Sequence, residues 1–227
     1  MKNAIPVAFM WSGGKDSAYA LYHIMQDARY EVKYLLSTFN TTFGRLSMHG
    51  IRESLVDQQA AAIGIPLVKT WVEGNSNEEY GEKMSATFLS LKDEGIATIV
   101  FGDIFLEDLR AWREQQLGKL GMTALFPLWK KDTRQLVEQF ITDGFISYTC
   151  CADSRVLSAD HTGKVISRAF IDALPPGVDP CGENGEYHSF CIDGPIFNEP
   201  VFCFPGEIIY REILTGQGFW YCDLTAE

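Results

Sequence analysis

Ile5-Pro6-Val7-Ala8-Phe9-Met10-Trp11 runs directly into Ser12-Gly13-Gly14-Lys15-Asp16-Ser17, and the reading of this stretch decides the fold. The apolar half reads as a buried strand, and Ala18, Leu21, Tyr22 and Met25 beyond it fall at helical spacing. The unit is therefore strand, glycine turn, helix. Two residues without side chains let a backbone approach an anion closely, and the first N–H groups of a helix lack intrahelical partners. Lys15 adds a positive charge, and the hydroxyls of Ser12 and Ser17 add donors suited to phosphate. The spacing matches neither G-x-x-x-x-G-K-[ST] nor G-x-G-x-x-G, so neither the Walker loop nor the dinucleotide fingerprint is present.

Working outward, strand and helix patterns alternate. Glu31 to Thr38 reads as a second strand, and the backbone near Leu36 and Thr38 is a candidate for reading adenine at its carboxyl end. Arg45 to Gly50 reads as a polar connection, Ile51 to Ile63 as a helix stopped by Gly64, and Ile65 to Val72 as the third strand. Asn75, Ser76, Asn77 and Glu78 offer caps for a helix to about Glu94. Ile96 to Phe101 then leads into Gly102-Asp103, a helix spans about Leu106 to Leu120, and Ala124 to Phe126 forms the next strand. This alternation implies an α/β fold: a doubly wound, parallel sheet of about five strands with the first strand central.

Beyond Trp129 the pattern changes. Asp132 is placed as the cap of a helix to Asp143, and Phe145 to Cys150 as a strand. Glu186 to Ile192, Val201 to Phe204, Ile208 to Ile213 and Phe219 to Tyr221 read as short strands between Gly and Pro turns. The expected division is residues 1–129 as an ATP-binding domain and 130–227 as a smaller α+β substrate-binding domain. With no repeat or flexible linker between them, the two should pack together.

The net charge of −11 over 227 residues argues against broad electrostatic binding to nucleic acid. No stretch reaches the roughly 18 to 20 apolar residues that span a bilayer, so a cytoplasmic protein with no membrane partner is expected. The six cysteines lie in the last third without a C-x-x-C and read as reduced and structural.

The second chemical feature is Asp179-Pro180-Cys181-Gly182-Glu183-Asn184-Gly185-Glu186-Tyr187-His188, ten residues holding three carboxylates, an amide, a thiol and an imidazole. Such a set can position a cationic substrate, hold Mg²⁺ or act as a base toward an incoming amine, whereas a solvated hairpin turn needs far less. Arg52 and Arg110 are candidates for pairing phosphate or a substrate carboxylate, and Asp103 for a Mg²⁺ or ribose contact.

Ser12 to Ser17 resembles the PP-loop of the ATP pyrophosphatases. Together with His49-Gly50-Ile51-Arg52, Gly102-Asp103-Ile104, Phe126-Pro127-Leu128-Trp129, the Cys181 to His188 motif and Asp193-Gly194-Pro195, it resembles the diphthine-ammonia ligase family over residues 7 to about 200. The resemblance implies an adenine nucleotide α-hydrolase fold and an ATP-dependent amidation: a carboxylate is adenylated with release of pyrophosphate, and ammonia then displaces AMP. It implies ATP and Mg²⁺, with Ser12, Gly13, Gly14, Lys15, Asp16, Ser17, Leu36, Thr38, Gly102 and Asp103 at the nucleotide and Asp16 and Asp103 at the metal. Lys15, Asp16, Glu183, Glu186 and His188 are the expected catalytic set, and Arg52, Arg110, Asn184 and Gly185 face the acceptor. Members acting on diphthine share a Tyr-Gln-Arg stretch after the fourth strand where this chain has Leu106-Glu107-Asp108-Leu109-Arg110, so the expected acceptor is a carboxylate, small or protein-borne. A PP-loop enzyme modifying tRNA and a non-catalytic nucleotide sensor are the alternatives, and a homo-oligomer is an open expectation.

Overall fold

A computed structural model describes residues 4–73, 77–214 and 217–226. The central strand is β1 (Ile5–Met10), whose Val7, Ala8 and Phe9 are completely buried, as a strand covered on both faces must be. It leads into α1 (Lys15–Met25), which buries Ala18, Leu21 and Ile24 at helical spacing. Then follow β2 (Tyr30–Asn40), the short β3 (Arg45–Leu46), α2 (Glu53–Ile63), β4 (Leu67–Val72), α3 (Asn77–Asp93), β5 (Thr98–Val100), α4 (Glu107–Lys119) and β6 (Thr123–Leu125).

β4, β2, β1, β5 and β6 pair in that order, all in parallel. The chain moves outward from β1 through β2 to β4, then returns to β5 on the other side of β1. The order therefore reverses between β1 and β5, and ligands of such sheets bind at the carboxyl ends of strands beside that reversal. Gly102, just past β5, sits hard against the start of α1: a Cβ there would lie 3.2 Å from the Cα and N of Ser17. The absence of a side chain at position 102 brings the two strand ends together.

The segment read as a polar connection contains β3, an antiparallel extension of the end of β2. The expected caps Asn75 and Ser76 lie outside the described residues. Gly64 ends α2 in the left-handed conformation, φ 80°, as its position suggests.

The second part begins with α5 (Thr133–Thr142), where the Asp132 side chain accepts from the Gln135 backbone N–H at 2.8 Å. After β7 (Ile146–Asp153), a single 3₁₀ turn and α6 (Arg168–Asp172), β8 (Tyr187–Asp193), β9 (Phe204–Leu214) and β10 (Gln217–Thr225) complete an antiparallel sheet ordered β8-β7-β10-β9. Val201 to Phe204, expected as a strand, is one only at Phe204; Pro200 lacks an N–H, and Val201 N donates singly to Ile192 O at 2.8 Å. β9 and β10 run longer than their apolar cores suggested because they pair with each other along a hairpin.

One apolar core spans both parts. Tyr19 of α1 packs edge-on against Phe140 of α5 and Phe145, and its hydroxyl donates to Asp143 at 2.8 Å. No helix among the described residues is long and apolar enough to cross a membrane.

Candidate active site

Gly13 adopts φ 70°, open to glycine with little penalty, and a Cβ there would lie 2.7 Å from Gln59 Oε1. Gly14 is the N-cap of α1 and brings no capping side chain; a Cβ on it would approach the Ser189 carbonyl to 3.0 Å. The turn is thus closed on the protein side by Gln59 and β8. Gln59, fully buried in α2, accepts from Trp11 Nε1 at 3.0 Å and donates to the carbonyls of Gly13 at 2.9 Å and Cys191 at 2.6 Å. Cys191 N donates to Gly13 O at 2.8 Å. Ser189 Oγ accepts from the N–H of Lys15 at 3.0 Å, at one of the helix-start donors a bound anion would use. Ser12 Oγ donates to Ser17 Oγ at 3.1 Å, and Ser17 Oγ donates to Gly14 O at 3.0 Å.

Lys15 is only 2% exposed. Its ammonium donates to both Asp16 oxygens, at 2.8 and 2.7 Å, and to the carbonyl of Cys181. It also lies 5.3 Å from the centroid of the Tyr187 ring. Burial works against the charge, but the adjacent Asp16 carboxylate outweighs it and holds the Lys15 pKa above the usual lysine range. The loop therefore keeps a fixed cation at its base, and that cation also holds the backbone of the acidic motif.

Within the acidic motif the carboxylates divide. Glu186 is buried and accepts from Asp179 N, Asn184 N and Asn184 Nδ2, each at 3.0 Å. Asp179 accepts from Cys181 N at 2.9 Å and Glu183 N at 3.2 Å. These two hold the loop's own backbone. Asn184 belongs to the same turn, and Gly185, at φ 87°, donates its N–H to Gly182 O at 3.0 Å. Glu183 instead reaches out of its loop to accept from Ile104 N at 2.7 Å and Phe105 N at 3.3 Å, just past β5. Burial, with the Asp16 carboxylate adding to it, raises the Glu183 pKa to about 7 against those two donors.

The His188 ring lies 4.6 Å from that of His49. Burial, then the Lys15 charge, lowers its pKa to about 4, so it is neutral at pH 7.

Other expected site residues have partners of their own. Arg52 pairs with Asp223 of β10, shared with Arg45 at 2.9 Å. Arg110 pairs with Glu114 at 2.8 Å and lies over the rings of Trp129 and Phe126, at 4.5 and 4.9 Å. Asp103 faces Arg113 at 2.9 Å. The carbonyls of Leu36 and Thr38 accept from Trp11 N and Ser47 N, at 2.7 and 2.9 Å. Among the described residues no three His, Cys, Asp or Glu side chains converge as a metal site, and Asp16 and Asp103 each already face a cation. All six cysteines are free and buried, and burial pushes the Cys181 thiol well up.

Gln59 and Ser189 were not legible as site residues, although Gln59 carries a signal. It falls on the apolar stripe of Leu55, Val56, Ala60 and Ile63, where a polar side chain needs buried partners.

Residues 5–124 match the family model for the diphthamide synthase N-terminal domain, and residues 132–216 match that for the diphthamide synthase C-terminal domain. A zebrafish protein named diphthine–ammonia ligase is 28% identical over 162 residues, covering 64% of each chain. Proteins of the same name from cattle and human are each 24% identical, over 89% of this chain and 84% of theirs.

Proposed function

The chain belongs to the diphthamide synthase family, and from that premise we propose that it is an ATP-dependent carboxylate–ammonia ligase forming AMP and pyrophosphate. One observation carries the reading. The strand that continues the acidic motif, β8, is hydrogen-bonded directly onto the phosphate loop through Cys191 N and Ser189 Oγ, so the activating and accepting elements share one site.

In the proposed reaction an oxygen of the acceptor carboxylate attacks the α-phosphorus of ATP. The α–β bridging bond breaks, and its electron pair leaves with pyrophosphate. Lys15, the helix-start N–H groups and the serine hydroxyls would stabilise that negative charge, and being held by the fold they would need little reorganisation as it forms. Ammonia then attacks the acyl carbon and AMP departs. Glu183, titrating near neutrality, would take the proton that ammonium must lose. Residues 1–129 would hold the nucleotide and 130–227 the acceptor. Mg²⁺ would arrive with the ATP phosphates rather than in a protein site. The relatives' names make diphthine the first acceptor to try, and the cytoplasm is the compartment in which this chemistry is proposed.

The test follows α-labelled ATP with ammonium and a panel of carboxylates that includes diphthine. Acceptor-dependent AMP and pyrophosphate are expected; release of ADP and phosphate would overturn the mechanism.

A further inference from the structure

Four residues between β3 and α2, Ser47-Met48-His49-Gly50, form a turn that their own sequence does not favour. Met48 has φ 67° and Gly50 φ 69°, so left-handed residues flank His49 on both sides. Glycine tolerates that conformation, but in a methionine it costs on the order of 1 kcal/mol. The methionine side chain gains little in return, being 70% exposed. His49 N donates to Ser47 O at 2.8 Å, tightening the bend. Gly50 is held beneath the Tyr221 ring, where a Cβ would come within 3.1 Å.

What the turn achieves is the placement of one imidazole. His49 lies against His188 at a ring separation of 4.6 Å, and its Nε2 is 3.4 Å from the position a Cβ on Gly14 would occupy. It therefore borders the phosphate loop at Gly14. Its Nδ1 is buried and has no hydrogen-bond partner among the described residues. A buried polar atom without a partner costs about 1–3 kcal/mol, which together with the turn makes two unfavourable features focused on one side chain. Burial first, and the neighbouring His188 second, lower its pKa to about 3 against an opposing interaction with the Ser47 backbone, leaving a neutral ring at pH 7.

We propose that His49 is a direct ligand of the ATP phosphates, donating from its ring to the β- or γ-phosphate held by the Ser12–Ser17 loop. A neutral imidazole suits this position. Lys15 already supplies a cation, and a second fixed charge in so small a space would repel it. His188 lies against the ring at an interplanar angle of 42°, and the turn fixes the backbone that carries it. The inference rests on the loop's being an ATP site, but not on any acceptor.

The test is calorimetric binding of ATP, inorganic pyrophosphate and AMP to the whole chain, wild type against His49→Ala and His49→Gln. Loss of a hydrogen bond to a charged group should weaken ATP and pyrophosphate binding by roughly tenfold or more in His49→Ala. AMP, which lacks the β- and γ-phosphates, should bind unchanged. His49→Gln, whose amide N–H₂ can reach where Nε2 lies, should recover most of the loss. Unchanged ATP affinity in His49→Ala, or equal losses for ATP and AMP, would overturn the role while leaving the ligase reading intact. Should His49→Ala unfold, the glutamine variant decides alone, through the ATP-induced shift of the ring ¹⁵N resonances in wild type and the ATP-to-AMP affinity ratio in the variant. A wild type that binds neither ATP nor pyrophosphate would overturn both readings.

Discussion

The phosphate loop and the acidic motif look alike in sequence, each a handful of chemically rich residues threaded through two glycines, yet the fold uses them in opposite ways. In Ser12–Ser17 the glycines press against Gln59 and Ser189, and the polar groups gather around the start of α1, with Lys15 buried beneath them. In Asp179–His188 most of the polar groups turn inward: Asp179 and Glu186 bind the backbone of their own loop, and only Glu183 reaches across to the end of β5. Donors at a helix start are presented by the backbone itself, so the residues around them can serve a ligand. Carboxylates crowded into a tight turn must first satisfy the N–H groups the turn leaves open, and only the surplus remains for chemistry.

The sharpest way to break this comparison is Lys15→Ala. Removing a fixed cation from the site of developing charge should lower the rate of pyrophosphate release about 10²- to 10³-fold or more. Residual activity near the wild-type level would mean that the loop does not activate ATP.

Next come the glycines. Gly13→Ala and Gly182→Ala each force a left-handed residue into contact, with Gln59 Oε1 at 2.7 Å and Tyr187 O at 2.8 Å respectively. Each should cost about 2 kcal/mol of stability, read from denaturant midpoints. Only Gly13→Ala should also weaken ATP binding; equal losses would merge the two loops into one functional unit.

The two glutamates separate scaffold from chemistry within the acidic motif. Glu186→Gln should lower the melting temperature, consistent with a loss of about 1–3 kcal/mol, because an amide in place of the carboxylate sets its N–H₂ against N–H donors. Glu183→Gln should act through pH. The folded carboxyl titrates near 7 and an ordinary glutamate at 4.5, so the folded state holds an extra proton between those values. This group's stabilisation is fully present below pH 4.5 and is lost as pH rises to 7. The stability difference between wild type and Glu183→Gln should therefore fall across that window, as measured by melting at a series of pH values; a flat difference would place Glu183 in solvent.

The smallest effect is expected outside both loops. Asp223, held down to a pKa of about 2 by the Arg52 guanidinium and then by Arg45, forms a partly exposed ion-pair cluster. Asp223→Asn should cost no more than about 1 kcal/mol and leave ATP turnover unchanged. A large loss of turnover would tie Arg52 to the site through its ion pair with Asp223.

The glycine loop after β1 and the parallel sheet around it are readable from the residues alone, because both rest on local rules. An apolar run too short for a helix, two glycines, and apolar residues at helical spacing specify strand, turn and helix without distant partners. Helix stops such as Gly64 and the Asp132 cap were legible for the same reason. Which polar groups remain for chemistry depends instead on the folded arrangement. Glu183 and Glu186 are chemically identical and three residues apart, yet one is a strut of its own turn and the other reaches 79 residues back along the chain. Gln59, Ser189 and the His49 turn likewise acquire their meaning from neighbours brought close by β8 packing on the loop. Hydrogen-bond satisfaction is a property of the assembled interior, so it becomes readable only once the two sheets meet.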